Sequence, residues 1–335
     1  MPIIRTLQNV DCNITLVAEN RPAAFLEKEF PELEIVPCLS YGIVYPEKGK
    51  LNLSLLKQGL KKVSLIQKEQ DLFESIAKKY QFDGVISDNR FGCFLKNKPS
   101  VILTHQVNIS MSWWGYSLVN RLNKKLLNRF NEVWIVDYED SPGLAGALSH
   151  PPKGLKKFTY IGPLSRFNSP IFISEKKYAW MGLISGPENQ RTVFEHLLEK
   201  EFSKLKSPCV ILRGVPEGEI NTPIQNGNIT FYNHLNSERL SYLIASSEKL
   251  VCRSGYSTLM DLDVFGKKAI LVPTPDQSEQ EYLAKENEKN GRHFYSNQKS
   301  FSVKSHTNDF ELKSFEANSN NYSAVINSWI NKNFN

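Results

Sequence analysis

The stretch KLVCRSGYSTLMDL, residues 249–262, is a short apolar run, then a cluster of small polar residues, then an apolar stretch that opens on two hydroxyl residues. Where a strand hands over to a helix, such a cluster sets main-chain N–H groups and hydroxyls around the positive end of the helix dipole, an arrangement that binds anions. Ser254, Gly255, Ser257 and Thr258 make this turn, Arg253 leads into it, and Asp261 lies one turn into the helix, placed to accept hydrogen bonds from sugar hydroxyls. The stretch WMGLISGPENQRTVFEHLL repeats the logic: Ser185 and Gly186 make a turn after a strand, and Pro187 suits a first helical turn. Arg213-Gly214 ends a third strand. Ser and Thr at such turns also cap helices, and glycine there also serves a tight turn. Recurrence within one half of the chain favours the anion reading, with a diphosphate across the turns and Arg191 or Arg213 beside its charge.

Two further residues carry acid–base chemistry. Asp88 follows the run Val85–Ser87 and His105 follows Val101–Thr104, so both fall at carboxyl ends of strands, where open parallel sheets hold their ligands. Either is a candidate general base, and Asn89 and Arg90 add hydrogen bonds and charge beside Asp88. An Asp capping the next turn and a His satisfied by a carbonyl are the competing readings. His234 follows a strand in the second half and is placed to flank the base.

The elements that must position these residues are short Val, Ile and Leu runs at 14–18, 85–87, 101–104, 133–136, 181–184, 210–212, 250–252 and 269–272, separated by helical spacing such as 55–79 and 192–204. Alternation of this kind predicts parallel sheets with helices on both faces, here as two doubly wound halves. Gly162, Pro163 and Pro170 interrupt periodicity and place the boundary near residue 165, giving domains 1–165 and 166–318. Val325, Ile326, Trp329 and Ile330 space a terminal helix over 319–335, expected to dock on one of the domains. The first residues, PIIRTLQNV, read as a helix, whereas a doubly wound domain ordinarily opens on a strand and a glycine-bearing turn, so that opening element is expected to be missing.

The chain has 335 residues, a net charge of +6 and 41% hydrophobic residues, the composition of a globular protein. The mild charge does not by itself point to nucleic acid and suits an anionic ligand or surface no less well. Five scattered cysteines without a CxxC pair argue against a disulfide framework or a zinc site and favour a cytoplasmic location. No apolar run approaches the about 20 residues that span a bilayer, so membrane contact would be peripheral. Residues 113–130 are the candidate: Trp113 and Trp114 precede a helix whose stripe Leu118, Leu122, Leu126 and Phe130 lies beside Arg121, Lys124, Lys125 and Arg129. A core-facing stripe with a solvated basic side is the favoured reading, an anionic bilayer the other.

Asp261 and Asp263 stand two apart on a helix, point to different faces, and should not chelate one ion; Asp137 and Asp140 lie on a loop and read as solvated. No essential metal is expected.

The segment VCRSGYSTLMDL followed by KKAILVPTPDQSEQEYLA resembles the carboxy-terminal donor-binding domain of family 28 glycosyltransferases, over about 181–284. The amino half, with DGVISDNRFGCF, VILTHQ and YIGPLSRF, looks like a bacterial subgroup related to the peptidoglycan-precursor N-acetylglucosaminyltransferase rather than that enzyme itself. The resemblance implies the GT-B fold, two Rossmann-like domains facing each other across a cleft, with a nucleotide sugar, commonly a UDP-sugar, held by the second. It places Ser185, Gly186, Ser254, Gly255, Ser257 and Thr258 around the diphosphate, Asp261 on the ribose, and Gln277, Glu279 and Gln280 in a loop reaching ribose and sugar. Asp276 stands where such relatives often have glycine. The implied activity is transfer of a hexosyl unit to an unidentified acceptor, in keeping with inversion and with a lipid-linked acceptor among the options. A catalytically impaired nucleotide-sugar binder and a UDP-sugar epimerase are the alternatives.

Overall fold

The computed structural model describes residues 1–38, 54–109, 116–167, 173–215, 222–306 and 321–334. The chain divides into two compact units, one made of 1–140, 147–162 and 320–335, the other of 141–146 and 163–319.

The first unit opens with α1 (Pro2–Gln8), β1 (Thr15–Val17), α2 (Asn20–Glu29), β2 (Glu34–Val36) and α3 (Ser54–Tyr80). It continues with β3 (Val85–Asp88), β4 (Ser100–Thr104), α4 (Tyr116–Leu127), β5 (Glu132–Ile135) and β6 (Phe158–Tyr160). β1 and β2 pair parallel, and β3-β4-β5-β6 form a separate all-parallel sheet. Every residue of β4 is buried, as a central parallel strand covered on both faces requires. Ile102, Val133 and Ile135 from the sheet pack with Leu127 and Phe130 beside α4.

The second unit runs β7 (Tyr178–Leu183), α5 (Glu188–Phe202), β8 (Cys209–Leu212), β9 (Pro223–Asn226), β10 (Ile229–Tyr232), α6 (Ser237–Ala245) and β11 (Ser247–Cys252). α7 (Tyr256–Val264), β12 (Ile270–Leu271), α8 (Ser278–Lys289) and β13 (Phe294–Tyr295) complete it. Strand order is β13-β12-β11-β7-β8-β10-β9, parallel except for the β9–β10 hairpin. Phe194, Leu198 and Phe202 of α5 pack on Trp180, Ile211 and Phe231 of the sheet. The last helix, α9 (Tyr322–Phe334), returns to the first unit, packs on α1, and sets Trp329 edge-on to Trp134 of β5, ring centroids 5.7 Å apart.

The stripe on α4 is a correction to the favoured sequence reading. Leu118 is 65% exposed and Leu122 39%, while Asn120, Asn123 and Leu127 are buried. Hydrogen bonding decides the orientation. The Asn120 amide accepts from the Ile109 N–H at 2.7 Å and donates to the Ile109 carbonyl at 3.1 Å, and the Asn123 amide donates to the Gln106 and Val107 carbonyls, each at 3.1 Å. Main-chain groups after β4 that would otherwise be buried unpaired draw the asparagines inward, and the leucines go out. Trp113 and Trp114 lie outside the described residues.

Candidate functional site

β7 is the first strand of the second unit and sits at its centre, with β8 on one side and β11 on the other. The chain fills β8 and β10 first and crosses back to β11 and β12, so the order reverses between β7 and β11. Open α/β sheets bind ligands outside the carboxyl ends of the strands at such a reversal. Leu183 and Cys252 are register partners, which sets Ser185 and Ser254 each two residues beyond a paired position.

The helices that start there lack side-chain caps. α6 is capped in the ordinary way, the Asn236 side chain accepting from the Arg239 N–H at 2.9 Å. α5 begins at Pro187, α7 at Gly255 and α8 at Gln277, none with a side-chain cap hydrogen bond. The positive ends of three helices thus stand along the carboxyl edge of β12-β11-β7, where an anion can take the place of a cap. The space is open: a Cβ at Gly186 or Gly255 would meet nothing within 4 Å. Gly186 has φ +103°, and this left-handed backbone explains the glycine. Gly214, at φ +68°, packs so closely that a Cβ there would lie 2.6 Å from the Ile184 carbonyl oxygen, which fixes the strand end leading into Ser185.

The helix starts differ in charge. α7 has no acidic residue in its first turn, α5 has Glu188, whose carboxylate pairs with Arg191, and α8 has Glu279 and Glu281. α7 therefore suits phosphate best, and the acidic start of α8 suits hydroxyl groups that donate hydrogen bonds. Gln280 shapes that loop, its Oε1 accepting from the Thr274 N–H at 2.9 Å and its Nε2 donating to Gln277 at 2.6 Å. Ser254 donates to the Gln280 carbonyl at 2.7 Å and so joins the two turns. Asp276 has φ +64°, a conformation glycine adopts freely and Asp tolerates, so the loop keeps the shape a glycine would give it. Ser257 is exposed and Thr258 half-buried at the start of α7. His234 is half-buried just past β10, on the far side of β8 from β7.

The arginines expected to face the ligand are each engaged by protein groups. Arg253 is fully buried, donates to the carbonyls of Val272, Pro273 and Gln190, each at 3.1 Å, and lies 4.0 Å over the Phe194 ring. Burial lowers its pKa to about 10, still well above neutrality, so it fastens the start of α5 to the end of β12 as a cation. Arg191 donates to the Gly214 carbonyl at 2.8 Å. Arg213 pairs with Glu195 at 2.8 Å and lies over the Phe231 ring at 4.5 Å.

Asp261 has protein partners that the sequence reading did not foresee. Its residue is 8% exposed; Oδ1 accepts from the Ser165 hydroxyl at 2.7 Å and Oδ2 lies 3.3 Å from Arg166 Nε. Burial raises its carboxyl pKa, and Arg166 and Ser165 oppose that rise. Ser165 and Arg166, 96 and 95 positions away, escaped sequence reasoning because no local pattern links them to α7. Asp263 is bound separately, to Arg292 at 3.1 Å, so the two carboxylates of the helix serve different cations.

In the first unit, β3 and β4 are adjacent and parallel, with Asp88 opposite Leu103 and His105 two residues further on. Asp88 is exposed at the strand end and His105 half-buried. Protein packed around the Asp88 carboxyl raises its pKa, while the Met1 amino group and His105 pull it down. The structure brings this pair together, as two neighbouring carboxyl-terminal strand ends demand.

Residues 220–324 match the glycosyltransferase family 28 C-terminal domain. No curated protein sequence matches the chain significantly. The whole chain is similar in fold to MurG of Acinetobacter baumannii, at 13% identity and a TM-score of 0.57, covering 98% of this chain and 94% of that one. Spinosyn rhamnosyltransferase SpnG, solved with thymidine diphosphate, aligns at 11% identity and a TM-score of 0.61 over 99% of this chain and 91% of its own. UGT89C1 of Arabidopsis thaliana, solved with UDP-L-rhamnose, aligns at 10% identity and a TM-score of 0.56 over 99% and 88%.

Proposed function

We propose, from the premise that this chain is a GT-B glycosyltransferase with the family 28 C-terminal domain in its second unit, that it transfers a hexosyl group from a UDP-sugar to an acceptor hydroxyl. The observation that carries the reading is the row of uncapped helix starts at the reversal of strand order: α7 and α5 offer N–H groups to a diphosphate, and α8 offers Gln277 and Glu279 to hydroxyls. In the proposed step the acceptor oxygen bonds to the anomeric carbon as the bond from that carbon to the phosphate oxygen breaks. The acceptor proton passes to a base, and the nucleoside diphosphate leaves with its new charge among the helix N-termini. Asp88 and His105 are the proposed base and its neighbour. Main-chain dipoles supply the stabilisation, and no step requires a metal.

For the acceptor side, the basic apolar face of α4 supports a peripheral contact with anionic lipid: Leu118 and Leu122 are exposed, and Arg121 and Lys125 beside them are exposed too. Among the described residues no helix is long and apolar enough to cross a membrane.

The test is release of UDP from a panel of UDP-hexoses, with and without lipid extract as acceptor, beside His105→Ala and Asp88→Asn. Release that the variants slow by about 100-fold or more supports the assignment. Binding without release identifies a binder, and sugar interconversion without release an epimerase.

A further inference from the structure

The first unit contains a second constellation that the donor reading leaves unused. Cys38 lies two residues past β2, Glu69 is on α3, and Cys93 is in the turn after β3. These residues are far apart in sequence, and the two cysteines follow strands of two different sheets while Glu69 is on a helix. The two thiol sulfurs and a carboxylate oxygen nevertheless all lie within 4.8 Å of one another, and the residues are only 2%, 1% and 6% exposed in chain order.

The carboxylate is held in place. Arg90 Nε donates to Glu69 Oε1 at 2.5 Å, and the Gly92 N–H donates to Oε2 at 2.9 Å. A Cβ at Gly92 would fall 2.5 Å from that same oxygen, so the glycine lets the turn close over it. Hydrogen bonds of this kind orient carboxylate ligands in metal sites. With thiols protonated, Glu69 and Arg90 balance each other's charge. With both thiols ionised, the four groups carry a net charge of −2, which one divalent cation cancels.

We propose that Cys38, Glu69 and Cys93 bind one thiophilic divalent cation of the zinc class, tying β2 to the turn after β3. Two thiolates and a carboxylate are an ordinary ligand set for that class, with a fourth position for water. A tetrahedral ion with metal–sulfur bonds of about 2.3 Å sets ligand atoms about 3.8 Å apart, so the cluster closes by about 1 Å at most. A cysteine ligates as its thiolate, so binding of the ion displaces the thiol protons. The site is independent of the donor reading.

The experiment is a titration of Co²⁺ into the reduced, chelator-treated full-length protein without oxygen, read by absorbance and by proton release. Expected are a thiolate-to-cobalt charge-transfer band saturating at one equivalent, about two protons released per ion, and displacement of the cobalt by Zn²⁺. In Cys93→Ser the band falls by at least half, and in Glu69→Gln the affinity drops at least tenfold. No charge-transfer band in the wild-type protein with its thiols intact overturns the proposal, whether or not either variant folds. So does a band undiminished in folded Cys93→Ser. An intact mass showing Cys38 joined to Cys93 as a disulfide in protein purified without oxidant overturns it as well.

Discussion

The Asp261 carboxylate of α7 accepts a hydrogen bond from the Ser165 hydroxyl at 2.7 Å, across 96 positions of sequence. A side chain already so bound can meet a ribose only by sharing or exchanging its partner. Removing that partner should therefore separate the two roles. Ser165→Ala is expected to lower the stability of the second unit by about 1 kcal/mol, the worth of a typical hydrogen bond, and to leave UDP affinity equal or higher. Asp261→Ala is expected to weaken UDP by about 1–3 kcal/mol. Chemical denaturation and calorimetry of both variants check this; loss of UDP affinity in Ser165→Ala would show that the clamp, not the free carboxylate, serves the ligand.

Arg253 makes the opposite case, a residue that looks like a ligand contact and acts as scaffold. Arg253→Met keeps the apolar stem but leaves the Val272, Pro273 and Gln190 carbonyls without their donor. The expected cost is about 3 kcal/mol or more in unfolding free energy, with donor affinity in the remaining folded protein reduced less than in Asp261→Ala. Urea unfolding beside UDP titration measures both.

Much of the candidate donor site was legible because its signals are local. Ser185-Gly186 and Ser254-Gly255 each follow an apolar run, and a turn after a strand is decided within a few residues. Asp276 fits too, since a side chain that tolerates the left-handed region replaces glycine without changing the loop. The β9–β10 hairpin was passed over although Gly227-Asn228 makes its two-residue turn, because β9 is fully exposed and lacks an apolar run. The inverted face of α4, the partners of Asp261 and the meeting of Cys38 with Cys93 depend on distant chain, which periodicity does not report.

His293 gives stability a pH dependence. It is buried, its Nδ1 accepts from the Ala269 N–H at 3.3 Å, and burial, with Arg292 and Lys268 nearby, lowers its pKa to about 3 from 6.5. Between those values the unfolded chain binds a proton that the folded one does not, so stability falls as pH falls through this window. The slope from this group is about 1.4 kcal/mol per pH unit. Urea unfolding at pH 7, 6 and 5 should show the decline, and His293→Gln should flatten it whatever its own stability. An equal slope in the variant would assign the acid sensitivity elsewhere.

The exposed Leu118 and Leu122 of α4 are the proposed lipid contact. Leu118→Glu with Leu122→Glu is expected to leave stability within about 0.5 kcal/mol, as for exposed positions generally. The same pair should reduce cosedimentation with phosphatidylglycerol vesicles at least tenfold. Wild-type binding should weaken with added salt and be absent for phosphatidylcholine. Wild-type protein that ignores anionic vesicles would leave the acceptor in solution.

The central claim is an anion site at the start of α7, and Gly255 isolates it. Aspartate is a favoured N-cap, and the space at Gly255 is open, so Gly255→Asp should fold as well as the wild type or better while placing a negative charge where the diphosphate belongs. The measurement is a calorimetric titration of UDP into both proteins beside their thermal melts. Saturable binding to the wild type, weakened at least tenfold in a variant that melts no lower, is the result expected here. No binding by a cooperatively folded wild type, or undiminished binding by Gly255→Asp, would contradict it.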